Sequence, residues 1–185
     1  MPFTVMRRYL ALALALAAVS APVSAAQTGP QSTSAARRAA LEREIVKEVN
    51  RVRALHDLRP LRFGDGLRTA AVVHSRAMIE MGFFEHESAD GTSFDNRIRR
   101  YYRDRGWATW SVGEALLSSS AEIDAREVVS AWAKSRPHRA VLLAPAWRDA
   151  GIGVFYSESA PGEFRDAPAL VVTADFGLRT GRAST

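Results

Sequence analysis

Two histidines and one glutamate stand at breaks in the sequence pattern, where side chains can face a cleft. His86 follows the apolar pair Phe83-Phe84 and precedes a polar loop, and Glu114 follows a glycine. His138 comes directly after Arg136-Pro137. A residue before proline is pushed out of the α region, so a helix is expected to end at that point. We therefore predict that these three side chains line one site.

These residue types support four interpretations. Neutral imidazoles and a carboxylate are the ligands of an open, three-ligand zinc site. Without a metal, the same groups make an acid–base pair in which Glu114 orients one imidazole, and that imidazole activates water or the hydroxyl of Ser135. In the other two interpretations, the cleft binds a polar head group without catalysis, or the residues form a buried polar network. The spacing is not that of a His-Glu-x-x-His helix, so the residues alone leave all four open.

Helical spacing predicts the elements that position these residues. A first helix is predicted by one apolar stripe, which consists of Leu41, Ile45, Val49, Val52 and Leu55. A second helix runs from about Gly66 to Met81, and its His74 is predicted to be a core histidine with one nitrogen satisfied. A third helix follows Ser93, and a further helix buries Trp132 before the proline.

Apolar, β-branched runs near the end of the chain predict two antiparallel strands. Ile152–Tyr156 and Ala169–Thr173 are separated by Pro161-Gly162, which is typical of a long hairpin connection. At most one further strand is expected near Glu114. Because the helices precede the strands, the order predicts an α+β fold with an antiparallel sheet packed by helices.

Length and composition predict one exported domain. The 185 residues begin with Arg7-Arg8, a Leu/Ala-rich run and Val23-Ser24-Ala25, so residues 1–25 are predicted to be a signal peptide. Residues 26–37 are predicted to be a flexible leader, and residues 38–180 the folded domain. No later segment approaches the roughly 20 apolar residues of a spanning helix. The chain has no cysteine, which excludes disulfides and thiolate zinc sites.

The order and spacing of several motifs resemble the bacterial branch of one superfamily, that of cysteine-rich secretory proteins, antigen 5 and pathogenesis-related 1 proteins (the CAP or SCP domain). The resemblance covers about Ala40 to Gly177 and rests on the following motifs: Leu61-Arg62-Phe63, Phe83-Phe84-x-His86, Asp90-Gly91-Thr92, Gly113-Glu114, Trp132-x-x-Ser135, His138-Arg139, Gly151-Ile152-Gly153-Val154 and Asp175-Phe176-Gly177. It implies an α-β-α sandwich with a central antiparallel sheet of about three strands.

The resemblance also implies a site. In that family a cleft is lined by two histidines and two glutamates, and the matching positions here are His86, His138 and Glu114, with Ser135 where the second glutamate usually stands. Ala115 replaces an asparagine of the family, so one polar group that would orient a ligand is missing.

Two functions follow as expectations from the resemblance. The first is an exported protein, periplasmic or extracellular, whose cleft binds a lipid, a glycan, another envelope component or a divalent cation such as Zn²⁺. The second is a metal-dependent or acid–base hydrolase that acts on peptide or cell-wall substrates. In that case His86, Glu114 and His138 are the metal ligands or the catalytic groups, with Ser135 beside them.

A run of arginines is expected on the outer face of the third helix: Arg97, Arg99, Arg100, Arg103 and Arg105. A solvated, charged face is the simplest interpretation of such a run. The functional interpretation is attraction to an anionic surface outside the cytoplasm. Nucleic acid is not expected, because the protein is predicted to be exported and removal of residues 1–25 lowers the formal net charge of +5 by two. The sequence does not predict an oligomeric state.

Overall fold

The computed structural model describes residues 30–182, with side chains from residue 34 to residue 181. The elements follow in this order: α1 (Pro30–Ala54), β1 (Arg62–Phe63), α2 (Asp65–Met81), α3 (Phe94–Arg99), β2 (Trp107–Ser119), α4 (Ala125–Lys134), α5 (Arg136–Leu142), β3 (Asp149–Ala160), a short 3₁₀ turn (Gly162–Phe164) and β4 (Ala167–Arg182). None of the helices in this part of the chain is both long and apolar enough to cross a bilayer.

The sheet has four strands in the order β1-β3-β4-β2. β4 lies antiparallel to both of its neighbours, and the hairpin β3–β4 and the strand around Glu114 confirm the antiparallel core of the prediction. The predicted number of about three strands is one too low. The two-residue β1 pairs in parallel with β3, with Arg62 opposite Asp149. A strand of two residues is too short to show an alternating apolar pattern, so the sequence does not predict it. Its pairing with β3 depends on the tertiary fold.

Helices cover both faces of the sheet, which confirms the predicted α-β-α sandwich. One face carries α1, α4 and α5 around a large apolar core that includes Ile45, Trp132 and Ile152. The other face carries α2 and α3. α2 approaches β3 so closely that a Cβ at Gly151 or Gly153 would lie about 2 Å from the backbone of α2. The two glycines therefore allow the helix that leads to His86 to lie directly on the sheet.

The first helix begins earlier than predicted. α1 starts at Pro30, so the interpretation of residues 30–37 as part of a flexible leader is wrong for these positions. The predicted signal peptide lies outside the described residues. Leu55 follows the end of α1 and is 72% exposed, and Met81 at the end of α2 is also exposed. The prediction that Leu55 and Met81 lie on the buried faces of their helices is therefore wrong. Both residues extend an apolar stripe past the point where the helix leaves the core.

The helix before the proline follows the prediction. Asp124 accepts a hydrogen bond from the backbone N–H of Glu127, and the Glu127 carboxylate accepts one from the backbone N–H of Asp124, which completes a capping box. Trp132 is buried, and its Nε1–H donates to the carbonyl of Leu116 at 3.0 Å. This bond ties α4 to β2. The helix ends at Ser135, where the backbone is extended, and α5 begins directly afterwards.

Candidate functional site

His86 and Glu114 meet at the edge of the core. Gly82 ends α2 in the left-handed conformation, and Phe83 and Phe84 pack against the apolar cluster beneath the following loop. This arrangement holds His86 so that its Nδ1–H donates to Oε1 of Glu114 at 2.8 Å. The histidine side chain is 47% exposed, whereas that of Glu114 is 1% exposed. The hydrogen bond that His86 donates to Glu114 raises the pKa of His86, since it favours the charged imidazolium.

Arg97 is the third member of the site. Its Nη2 pairs with Oε2 of Glu114, and its Nη1 donates to the backbone carbonyl of His86 at 2.8 Å. Arg97 is buried, so its predicted place on an outer, anion-attracting surface is wrong. It lies three residues after Phe94 and one before the buried Ile98, on the inner side of α3. The helical spacing of Phe94, Arg97 and Ile98 in the sequence indicates that Arg97 lies on the same buried side of α3 as these two apolar residues.

Asp175 lies opposite Glu114 in the pairing of β2 with β4. It is fully buried, and neither of its carboxyl oxygens has a hydrogen-bond partner among the described residues. Burial, reinforced by the charge of Glu114, raises the pKa of Asp175 well above its ordinary value. A sequence signal existed here too, because an acidic residue interrupts an otherwise apolar strand.

His74 supports the loop that carries His86. It is buried, and its Nε2–H donates to the carbonyl of Glu85 at 2.9 Å, which confirms the prediction of a core histidine with one satisfied nitrogen. Burial, with a smaller contribution from Arg97, lowers the pKa of His74 to about 4. His74 is therefore a neutral structural residue.

His138 lies on α5, which packs on the opposite face of the sheet from α2. It is in the first turn of α5 after Pro137, and its side chain is half-buried. Burial lowers its pKa, and the charge of His86 lowers it further. Among the described residues, no hydrogen bond joins the Ser135 hydroxyl to a histidine. The Ser-His-Glu interpretation therefore gains no support from the geometry.

A family model described as "CAP: Cysteine-rich secretory protein family" matches residues 46–176, which is well over half of the chain. The chain belongs to the CAP family. The resemblance inferred from the sequence motifs is confirmed.

Relatives of this CAP domain come from several bacteria. Protein YkwD of Bacillus subtilis (strain 168) is 28% identical over 134 residues, which is 72% of this chain and 49% of that protein. An extracellular protein containing an SCP domain from Bacillus anthracis str. Ames superposes with a TM-score of 0.64 at 21% identity, over 82% of this chain and 44% of that one. An outer surface protein from Borrelia burgdorferi gives a TM-score of 0.55 at 24% identity, over 74% of this chain and 90% of that one. The chain thus spans about half the length of YkwD, and the structural matches show the fold.

The three predicted site residues do not offer the CAP domain a ready metal site. Among the described residues, no three His, Cys, Asp or Glu side chains converge closely enough to hold a metal ion. Both oxygens of Glu114 are already bonded, one to His86 and one to Arg97. A cation at Glu114 would also meet the positive charge of Arg97 at short range. This donor set fits zinc poorly, and zinc binding stays a prediction that a titration tests.

What the arrangement can do chemically follows from the different surroundings of its two histidines. The pKa of His86 is raised by its bond to Glu114, and that of His138 is lowered by burial. Between the two values, His86 is a charged hydrogen-bond donor and His138 a neutral group that can accept a hydrogen bond or a proton. The site therefore suits a ligand that carries both an acceptor, above all an anionic one, and a donor.

Proposed function

We propose that this CAP domain acts outside the cytoplasm and binds the polar head group of a lipid or another envelope component in the cleft of His86, Glu114, Arg97 and His138. The observation that carries the proposal is the chain of contacts from Arg97 through Glu114 to His86. The buried carboxylate of Glu114 holds Nδ1 of the half-exposed His86 ring in place. Nε2 of His86 has no hydrogen-bond partner among the described residues.

The charges favour an anionic or strongly hydrogen-bonding head group. Glu114 is offset by Arg97, so the raised pKa of His86 leaves the accessible part of the site with a positive donor. A phosphate or carboxylate oxygen at Nε2 would form a charge-assisted hydrogen bond, which is about twice as strong as a neutral one. His138 at the other side offers a neutral nitrogen to a hydroxyl of the same ligand.

A location outside the cytoplasm is part of the proposal. Two similar structures come from proteins described as extracellular and as an outer surface protein. The predicted signal peptide agrees with this location. Expression of the full chain in a bacterial host, with mass spectrometry of the N-terminus from medium and periplasm, tests it. A chain that retains Met1 in the cytoplasmic fraction would contradict the proposal.

Binding is tested most directly by proton NMR of the histidine C2–H signals. We expect dihexanoylphosphatidylglycerol, added below its micellar concentration, to shift the His86 and His138 signals in a saturable way and to leave exposed His56 unchanged. His86→Gln should abolish the shift at His138, and His56→Gln serves as the matched control. Equal shifts at all exposed histidines, binding that survives His86→Gln, or the absence of any shift would each refute the lipid head group as ligand.

Hydrolysis is the second candidate, because a pair of histidines with pKa values displaced in opposite directions is the pattern of an acid–base pair. In that reaction His138 would take a proton from water and His86 would give one to the leaving group, so the rate would peak between the two pKa values. Turnover of purified cell-wall peptides that is abolished by both His86→Gln and His138→Gln would support it. Turnover that survives either change would remove that histidine from the mechanism.

A further inference from the structure

Five arginines lie at the end of α3, in the loop before β2 and on β4, at the end of the sheet where β2 begins. This arginine face consists of Arg99, Arg100, Arg103, Arg105 and Arg179. The first two end α3, the next two lie in the loop before β2, and the last lies on β4. Nη1 of Arg179 donates to the carbonyl of Arg103 at 3.4 Å, which joins the strand to the loop.

Two of these guanidinium groups are held in place by aromatic rings. Arg179 lies 3.8 Å from the ring centre of Tyr102 and 5.2 Å from that of Trp107, and Arg99 lies 4.4 Å from the ring centre of Trp110. Such stacking orders the planar guanidinium group before a partner arrives, so less conformational entropy is lost on binding. Arg100, Arg103 and Arg105 are exposed around this ordered pair.

Acidic residues only partly neutralise the face. Asp104 forms an ion pair with Arg99 at 3.1 Å. Hydrogen bonds lower the pKa of Asp90 and of Asp95, and the charges of Arg100 and Arg99, respectively, lower these values further. Five positive charges thus stand against three negative ones.

We propose that the arginine face binds an anionic glycan polymer of the cell envelope, with guanidinium groups on its phosphate or carboxylate groups. The planar forks of arginine match these groups in two-point contacts. Tyr101, which is 39% exposed, adds an aromatic ring that packs against the apolar side of a sugar.

A polymer fits this face better than a bilayer does. Proteins that insert into a membrane interface present several apolar side chains beside their basic residues. Of the large apolar side chains that are exposed in the described part of the chain, Tyr101 alone belongs to this face. The tryptophan rings are covered by arginines instead of projecting outwards.

The binding test uses purified poly(glycerol phosphate) that carries sugar substituents as the probe and residues 26–185 as the protein. We expect titration to show saturable binding that weakens as salt is added, and no binding of neutral dextran. The triple variant Arg100→Gln/Arg103→Gln/Arg105→Gln should bind about tenfold to a hundredfold more weakly, because each exposed ion pair contributes roughly a twofold to fivefold effect.

Two comparisons make this test specific. Arg43→Gln/Arg59→Gln/Arg139→Gln removes the same charge from exposed positions elsewhere and should leave binding within about twofold of wild type. Equal losses in both triple variants would show a net-charge effect and overturn the assignment of the face. Equal affinity, per phosphate, for single-stranded DNA or for phosphatidylglycerol vesicles, measured with His86→Gln so that the cleft does not contribute, would overturn the glycan as the partner.

Discussion

Replacement of Arg97 by methionine is the sharpest test of the site, because it keeps most of the side-chain volume and removes only the guanidinium group. In the wild type, Arg97 and Glu114 are both buried, and Arg97 also donates to the His86 carbonyl at 2.8 Å. Without Arg97, the buried Glu114 carboxylate would keep the hydrogen bond from His86 but would lose its buried counter-charge. The variant therefore leaves a buried charge poorly compensated.

The expected cost follows from that burial. Breaking a buried ion pair by removal of one partner typically lowers the free energy of unfolding by about 3–5 kcal/mol. Urea denaturation of the wild type and Arg97→Met measures it, provided that the slope against urea is unchanged. The double variant Arg97→Met/Glu114→Gln should recover part of the loss, because the uncompensated charge is then absent too. Removal of Arg97 should also raise the pKa of His86 further, since its positive charge opposes that of the imidazolium.

Arg100→Met is the matched control, since Arg100 follows α3 but is exposed. Exposed substitutions of this kind usually change stability by no more than about 0.5 kcal/mol. A loss below about 1 kcal/mol for Arg97→Met, or equal losses for the two variants, would refute the placement of Arg97 in the site.

Three further predictions concern stability and metal binding. Because the folded-state pKa of Asp175 is raised above 3.8, its contribution to stability is present at low pH and is lost as the pH rises towards the folded value. In urea titrations, the free energy of unfolding of the wild type should therefore fall relative to that of Asp175→Asn as the pH rises above about 4, and parallel curves would contradict this. Trp132→Ala should lower the free energy of unfolding by about 3–5 kcal/mol, and Leu55→Ala by less than about 0.5 kcal/mol. Thermal midpoints that fall equally in the two variants would show that the assignment of the buried helix faces is wrong. Calorimetric titration of zinc should show no micromolar binding. Micromolar binding that the double variant His86→Ala/His138→Ala abolishes would instead support the predicted metal site.

Much of the fold was predictable because local patterns agree with the tertiary structure. The capping box at Asp124 and Glu127 marked the start of α4, and helical spacing placed Trp132 on its buried side. Punctuation by Gly82 and Pro137 placed His86 and His138 outside the regular helices that precede them. These features depend on residues within one or two turns of each other, so sequence alone determines them.

The environment of the site depended on contacts between residues far apart in the chain. Arg97 looked like one more member of a charged run, yet it is buried because Glu114, 17 residues away, supplies its counter-charge. Asp175 lies beside Glu114 only through the register of β2 with β4, 61 residues apart, and burial there raises its pKa. The sequence by itself determined most of the helices and strands, though not β1 or α5, and the breaks at which the two histidines stand. The tertiary structure decided which charges meet, because burial and pairing between distant residues set the energy of an ionised group.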